Sequence, residues 1–278
     1  MCSRLKQSRK SMSLPPMRIH DKERGIPMRK LKVTMAYRGT RYHGYQRQNN
    51  GITIQEVVER CAGKILNEPV TIHGCSRTDA GVHANCFVFH VETNSSIRTQ
   101  GFIRGVNGEL PDDISILTCQ DIDEDFHARF SCKGKEYLYL LHCSESKDPF
   151  TTDLACHYRR PLHEALVMEA AQHFVGTHDF RSVCTNCAEI ANTVRTVYSF
   201  TVENDGNKVK MLVKGDGFLY NMVRIMVGTL LDVNEGKIAV NDLDAILASG
   251  KRVNAGRTAP AHGLYLNRVF YDESELLR

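Results

Sequence analysis

Hydrophobic and polar residues alternate between positions 31 and 38: Leu31, Val33, Met35 and Tyr37 face one way, and Lys32, Thr34, Ala36 and Arg38 the other. A period of two predicts a strand with one wet face. Thr53-Ile54-Gln55-Glu56 then has the form of a capping box. The apolar positions that follow, Ile54, Val57, Val58, Cys61, Ile65 and Leu66, fall on a single helical stripe. Residues 70–75 predict a strand and residues 86–91 another, buried on both faces. Between them lies a turn running from Ser76 to His83. A helix over 97–107, ended by Asn107-Gly108, and a strand over 114–117 complete the first half.

The second half opens with a strand over 135–142 that carries Tyr137 and Tyr139 on one face, followed by a helix over 163–174. Two alternating strands, 194–202 and 209–213, are joined through Asp205-Gly206, a hairpin signal. Residues 218–233 are apolar almost all round and predict a buried helix. A shorter helix over 241–248 stops at Gly250, and a strand over 264–271 ends the pattern. Hairpins with a solvated face favour antiparallel pairing, so the fold class expected is α+β. The expected division is a basic, disordered tail over 1–28, an N-terminal catalytic subdomain over 29–130 that carries the Asp79 turn, and a C-terminal subdomain over 131–278.

Apolar residues make up 42% and charged residues 24% of the 278 residues, ordinary values for a globular protein. No apolar run approaches the roughly 18 residues that a membrane span needs, and the N-terminus has no secretory apolar core, so a cytoplasmic protein is expected. The net charge of +4 hides an imbalance. Residues 1–30 hold nine Lys/Arg against two Asp/Glu, which leaves the rest of the chain at −3. Charge alone therefore makes no case for nucleic acid, although a mildly acidic body can carry a local basic cleft. Ten scattered cysteines read as reduced thiols. Cys184-x-x-Cys187, with His173 and His178 upstream, has the residue types of a zinc site. It lacks a second tight pair and the usual His spacing, so no metal is expected and surface-loop thiols are the simpler reading.

The turn around Asp79 carries the clearest chemical signal. A buried strand delivers Arg77 and Asp79 two residues apart, and Ala80-Gly81 lets backbone approach a ligand closely. A carboxylate there can serve as nucleophile or base, or can simply tie the turn to its own backbone. Arg224 stands in the middle of the expected apolar helix. A buried guanidinium needs a carboxylate or a wet cleft, and its own helix offers no acid within reach. Asp79 is a candidate partner; a side chain reaching to the surface is the alternative. Gly215-Asp216-Gly217 is too short a glycine pattern for phosphate binding and reads as a tight turn.

Cys75-Ser76-Arg77-Thr78-Asp79-Ala80-Gly81-Val82-His83-Ala84 resembles the tRNA pseudouridine synthase A family. The resemblance runs from about Leu31 to Tyr271. It takes in the stretch Tyr37 to Gln48, Leu110-Pro111-Asp112-Asp113-Ile114, Asp125-Phe126-His127-Ala128-Arg129-Phe130, Gly134 to Tyr139, Gly217 to Arg224 and Ala255 to Leu264. Tyr45 stands where the family often has Trp, and Arg38 where it often has Asp. The resemblance implies one long, mostly antiparallel sheet built from two similar subdomains with a cleft between them. It implies isomerisation of uridine to pseudouridine in the anticodon stem-loop of tRNA, at tRNA positions 38–40, by a homodimer without metal or cofactor. It assigns Asp79 as the catalytic carboxylate, Tyr137 as the ring stacked on the target base and the acceptor of its C5 proton, and Arg224 as the partner of Asp79. Arg77 is expected to eject the uridine from its stack, with His83, Arg41 and Arg47 contacting RNA. A non-catalytic tRNA-binding protein on the same scaffold is the alternative, and retention of Asp79, Tyr137, Arg77 and Arg224 together speaks against it.

Overall fold

A computed structural model describes residues 28–187 and 190–276. The tail expected over 1–28 thus lies, but for Met28, outside the described residues. The strands are β1 (Arg29–Tyr37), β2 (Ile72–Gly74), β3 (His83–Thr93), β4 (Ile114–Ile122), β5 (Gly134–Cys143), β6 (Cys156–Tyr158), β7 (Gly176–Asp179), β8 (Val194–Asp205), β9 (Lys208–Gly215) and β10 (Leu264–Phe270). The helices are α1 (Ile54–Leu66), α2 (Thr99–Glu109), α3 (Glu164–Gln172), α4 (Met222–Asn234), α5 (Leu243–Ser249) and α6 (Glu273–Leu276). One sheet runs in the order β4-β1-β3-β10-β5-β9-β8-β7, with β2 on β3 and β6 on β5. Only the β10–β3 and β5–β6 pairs are parallel. The α+β class is what the alternation pattern predicts, and the long, mostly antiparallel sheet is what the family resemblance implies.

Most elements fall where the pattern places them. Thr53 caps α1 by accepting from the Glu56 amide, and Gly250 ends α5 at φ +60°. The hairpin through Asp205 and Gly206 pairs β8 with β9. The short strands β6 and β7 carry too few residues to show a period and were invisible to it. Helix α2 runs one residue past the Asn107-Gly108 pair, to Glu109, and the Asn107 side chain bonds both backbone groups of Ile116.

The last strand sits between the two halves of the chain. β10 pairs with β3 through Tyr265 and Leu266, and with β5 along its whole length. This insertion brings the turn ahead of β3 beside the face of β5 that carries Tyr137. Helix α4 packs against α3 and against the loop ahead of β10. A Cβ on Gly228 of α4 would lie 1.7 Å from the carbonyl oxygen of Arg257. Only glycine permits that approach of backbone to backbone.

Candidate active site

Neighbouring backbone pins the Asp79 turn on several sides. Thr78 Oγ1 lies 2.8 Å from the Tyr37 hydroxyl of β1, and the Thr78 carbonyl accepts from the Tyr45 amide at 3.1 Å. Gly44, at φ +84°, passes so close that a Cβ there would meet the Thr78 oxygen at 2.6 Å. The stretch from Tyr37 to Gln48 therefore shapes this turn. The Val82 amide donates to the Asp79 carbonyl at 3.1 Å, so backbone closes the bend and leaves the carboxylate side chain for other work.

That carboxylate meets Arg224. Arg224 Nη1 donates to Asp79 Oδ2 at 3.1 Å, and both side chains are largely buried, 18% and 23% exposed respectively. The same Nη1 donates to Asn221 Oδ1 at 2.8 Å, and Nε donates to the Ala259 carbonyl at 2.8 Å. The carboxylate partner demanded by an apolar helix is thus found 145 positions away. One detail differs from expectation. Helix α4 begins at Met222, because Asn221 takes a left-handed conformation at φ +60°, so Arg224 occupies the first turn rather than the middle. A cation there opposes the helix dipole, and an anion at that end is favoured; Asp79 supplies it. Burial pushes the Asp79 carboxyl above the ordinary aspartate range, and Arg224 pulls it part of the way back.

Both residues line a cavity of about 1080 Å³ that also takes in Tyr137, Arg77 and Arg47. Tyr137 is buried, lies edge-on to Phe218 with ring centres 5.1 Å apart, and has its hydroxyl 3.4 Å from Ser76 Oγ. Burial raises its phenol far above the usual value, which keeps the hydroxyl neutral. Arg77 is exposed and has no ion pair among the described residues. Arg47 pairs with Glu59 at 2.6 Å and remains half exposed at the rim.

Two expected RNA contacts are placed elsewhere. His83 is fully buried: its Nδ1 accepts from the Gly39 amide at 3.0 Å, and Nε2 lies 3.1 Å from the His262 carbonyl. Both ring nitrogens are occupied, so His83 fastens the start of β3 and cannot reach RNA. Arg41 is 72% exposed but outside the cavity lining, held at 2.7 Å by the buried Asp113. Lys135, Arg129 and Arg195 were not singled out from sequence, yet all line the cavity. For Lys135 the signal was present, since it stands two residues before Tyr137 and shares its strand face. Cation by cation, the lining holds Arg47, Arg77, Arg129, Lys135, Arg195 and Arg224 against the single acid Asp79. The mildly acidic body carries a basic cleft.

The paired cysteines also depart from expectation. Cys184 and Cys187 are joined in a disulfide, and Cys184 is buried, so they are not two reduced surface thiols. His173 is paired with Asp244, and His178 Nε2 lies 2.9 Å from the Val175 carbonyl.

The chain is similar to known proteins along most of its length. The sequence pattern of the tRNA pseudouridine synthase family matches residues 33–131 and 170–272. A tRNA pseudouridine synthase A of Ruminiclostridium cellulolyticum is 43% identical over 245 residues, 88% of this chain and 100% of that protein. Those of Bacillus pumilus, at 43% over 87% of this chain and 99% of that one, and Staphylococcus aureus, at 39% over 90% and 94%, are similar along nearly their whole length. Among solved structures, a chain of a Cbf5-Nop10-Gar1 complex matches 85% of this chain and about half, 48%, of its own, at 15% identity and a TM-score of 0.38, too distant for any conclusion to rest on it. A match over both halves of the chain, and near-complete coverage of relatives at about 43% identity, place this chain in the tRNA pseudouridine synthase family.

Proposed function

We propose that the chain isomerises uridine to pseudouridine in the anticodon stem-loop of tRNA, with Asp79 as the catalytic carboxylate. The observation that carries this reading is the contact between Asp79 and Arg224 inside a basic cavity lined by Tyr137. Binding RNA alone gives no use to a carboxylate desolvated against a helix-borne guanidinium, so a non-catalytic scaffold is disfavoured.

The reaction breaks the bond between C1′ and N1, turns the uracil, and joins C5 to C1′. C5 loses a proton and N1 gains one, so nothing is oxidised or reduced and no cofactor is called for. Asp79 attacks C1′ or C6, or removes a sugar proton, and Arg224 holds its charge in each case. The target base must leave its stack, which costs a few kcal/mol. Exposed Arg77 fills the gap, and Tyr137 stacks on the extruded ring and offsets part of the cost. Because Tyr137 is a neutral phenol, it can take the C5 proton only by passing its own onward; Ser76 Oγ, 3.4 Å away, can relay that proton by releasing its own at the same time to water in the cleft, from which N1 is protonated. The walls keep detached uracil beside its sugar until the new bond forms. A homodimer in the cytoplasm, with tRNA lying across both subunits, is the assembly we propose.

Tritium release from C5-labelled tRNA tests the reading. Asp79→Asn is expected to abolish release and to leave tRNA affinity within about tenfold, since phosphate contacts dominate affinity. Release near the native rate from that variant would remove Asp79 from the chemistry.

A further inference from the structure

The turn ahead of β5 presents a large apolar ring to solvent at the edge of the cavity. Phe130 is 77% exposed, yet it is firmly held. Its ring stacks on His127 with centres 4.3 Å apart and 30° between planes. His127 stands edge-on against the buried His90 at 4.6 Å, and His90 Nδ1 accepts from the Ala128 amide at 3.1 Å. The amides of Arg129 and Phe130 donate to His127 Nδ1 at 3.1 and 3.3 Å, and the His127 amide donates to Ser131 Oγ at 3.0 Å. Phe130 is therefore backed by a ring that is itself anchored on β3, and most of its own surface stays open.

Single exposed apolar residues are ordinary and need no explanation. This one differs in its surroundings. Phe130 and Arg129 both line the cavity, and the Arg129 guanidinium carbon lies 5.9 Å from the Phe130 ring centre. A flat apolar face beside a cation, in a cleft whose lining holds one acid, complements a nucleobase joined to its phosphate. A protein partner would need a continuous apolar patch. Of the cavity lining described, only Phe130 and Tyr220 are large, apolar and exposed.

We propose that Phe130 is a stacking platform for an unpaired RNA base other than the target uridine, with Arg129 holding the adjoining phosphate. The proposal rests on the RNA-modifying function proposed above. Its test is equilibrium binding of an anticodon stem-loop RNA to the Asp79→Asn protein, with and without Phe130→Ala. The expected loss is about five- to a hundredfold, the range for removing one stacked base, with no change in the salt dependence. Phe130→Trp should restore binding and Phe130→Leu should not. Replacing loop nucleotides one at a time by abasic sites should reveal one position whose loss matches that of Phe130→Ala and adds nothing to it. Unchanged affinity in Phe130→Ala, equal rescue by Leu, or losses that multiply at every abasic position would each overturn the platform. So would Phe130→Ala dissociating an assembly of this chain while RNA affinity stays native. Tritium release by the unmutated enzyme separates the two readings: no release sinks the proposed function, whereas release with an unaltered Phe130→Ala affinity sinks the platform alone.

Discussion

Arg224 Nη1 stands between two acceptors, Asp79 and Asn221, while Nε holds the Ala259 carbonyl, so one side chain fixes two others and a backbone carbonyl. Removing it leaves a mostly buried carboxylate without a counter-charge. Arg224→Ala is expected to destabilise the fold by about 3 kcal/mol, the low end for breaking a buried pair because neither partner is fully sealed; the urea unfolding midpoint measures this. The pH dependence is a finer probe. With Asp79 acting as the ionised carboxylate proposed above, activity should rise with pH through its pKa, which burial already holds above the ordinary aspartate range. Arg224 is the group that lowers it, so Arg224→Gln should move the acid limb of tritium release to higher pH. A limb that stays in place would mean another group titrates there. Asn221 acts one step further back. Its left-handed backbone and its bond to Arg224 can be separated, because Asn221→Gly keeps the first and removes the second. That variant should fold normally and show the same upward shift in smaller measure, whereas a profile identical to native would leave Asn221 with a purely conformational role.

At the scale of elements, α4 and the loop ahead of β10 act as one unit. The Ala259 amide donates to the Arg224 carbonyl, Gly256 donates to Thr229 Oγ1, and Gly228 lies against the Arg257 carbonyl. Gly228→Ala must push the loop away and displace the Ala259 carbonyl that orients Arg224. A loss of about 1–3 kcal/mol in stability is expected, with activity falling further than stability accounts for; full activity with a normal melting midpoint would show that the loop moves independently. Little of this unit was legible in advance. Periodicity found the apolar helix and its lone arginine, because burial writes itself into composition. It could not see that Asn221 interrupts the helix, since positive φ leaves no mark in hydrophobic pattern. Nor could it separate His83 from a ligand-facing histidine, because a ring bonded to an amide and a carbonyl has the same letter as one facing a cleft. A buried charge demands a partner, which makes Asp79 a candidate for Arg224; the pairing itself is implied by the family resemblance. The distance of 145 positions between them needed the fold.

The whole molecule places a basic cleft in a body whose charge beyond the N-terminal thirty residues is slightly negative. Field lines then concentrate where one sign dominates, and Arg77, Arg129, Lys135 and Arg195 have no carboxylate partner among the described residues to screen them. If each neutralises one phosphate, the logarithm of affinity should fall with the logarithm of salt concentration at a slope of about −3, given roughly −0.7 to −0.9 for each contact. Lys135 offers the cleanest single test, because it lines the cavity on the same strand as Tyr137 but lacks a place in the Asp79–Arg224 pair. Lys135→Ala should reduce the slope by about 0.8 and weaken matched and mismatched RNAs alike, since a phosphate contact carries no sequence information. Filter binding across a series of salt concentrations measures both quantities. A native slope near −1 would mean that the cleft cations meet water rather than phosphate. An unchanged slope in Lys135→Ala would remove that side chain from the RNA path and leave the phosphate contacts to Arg77, Arg129 and Arg195.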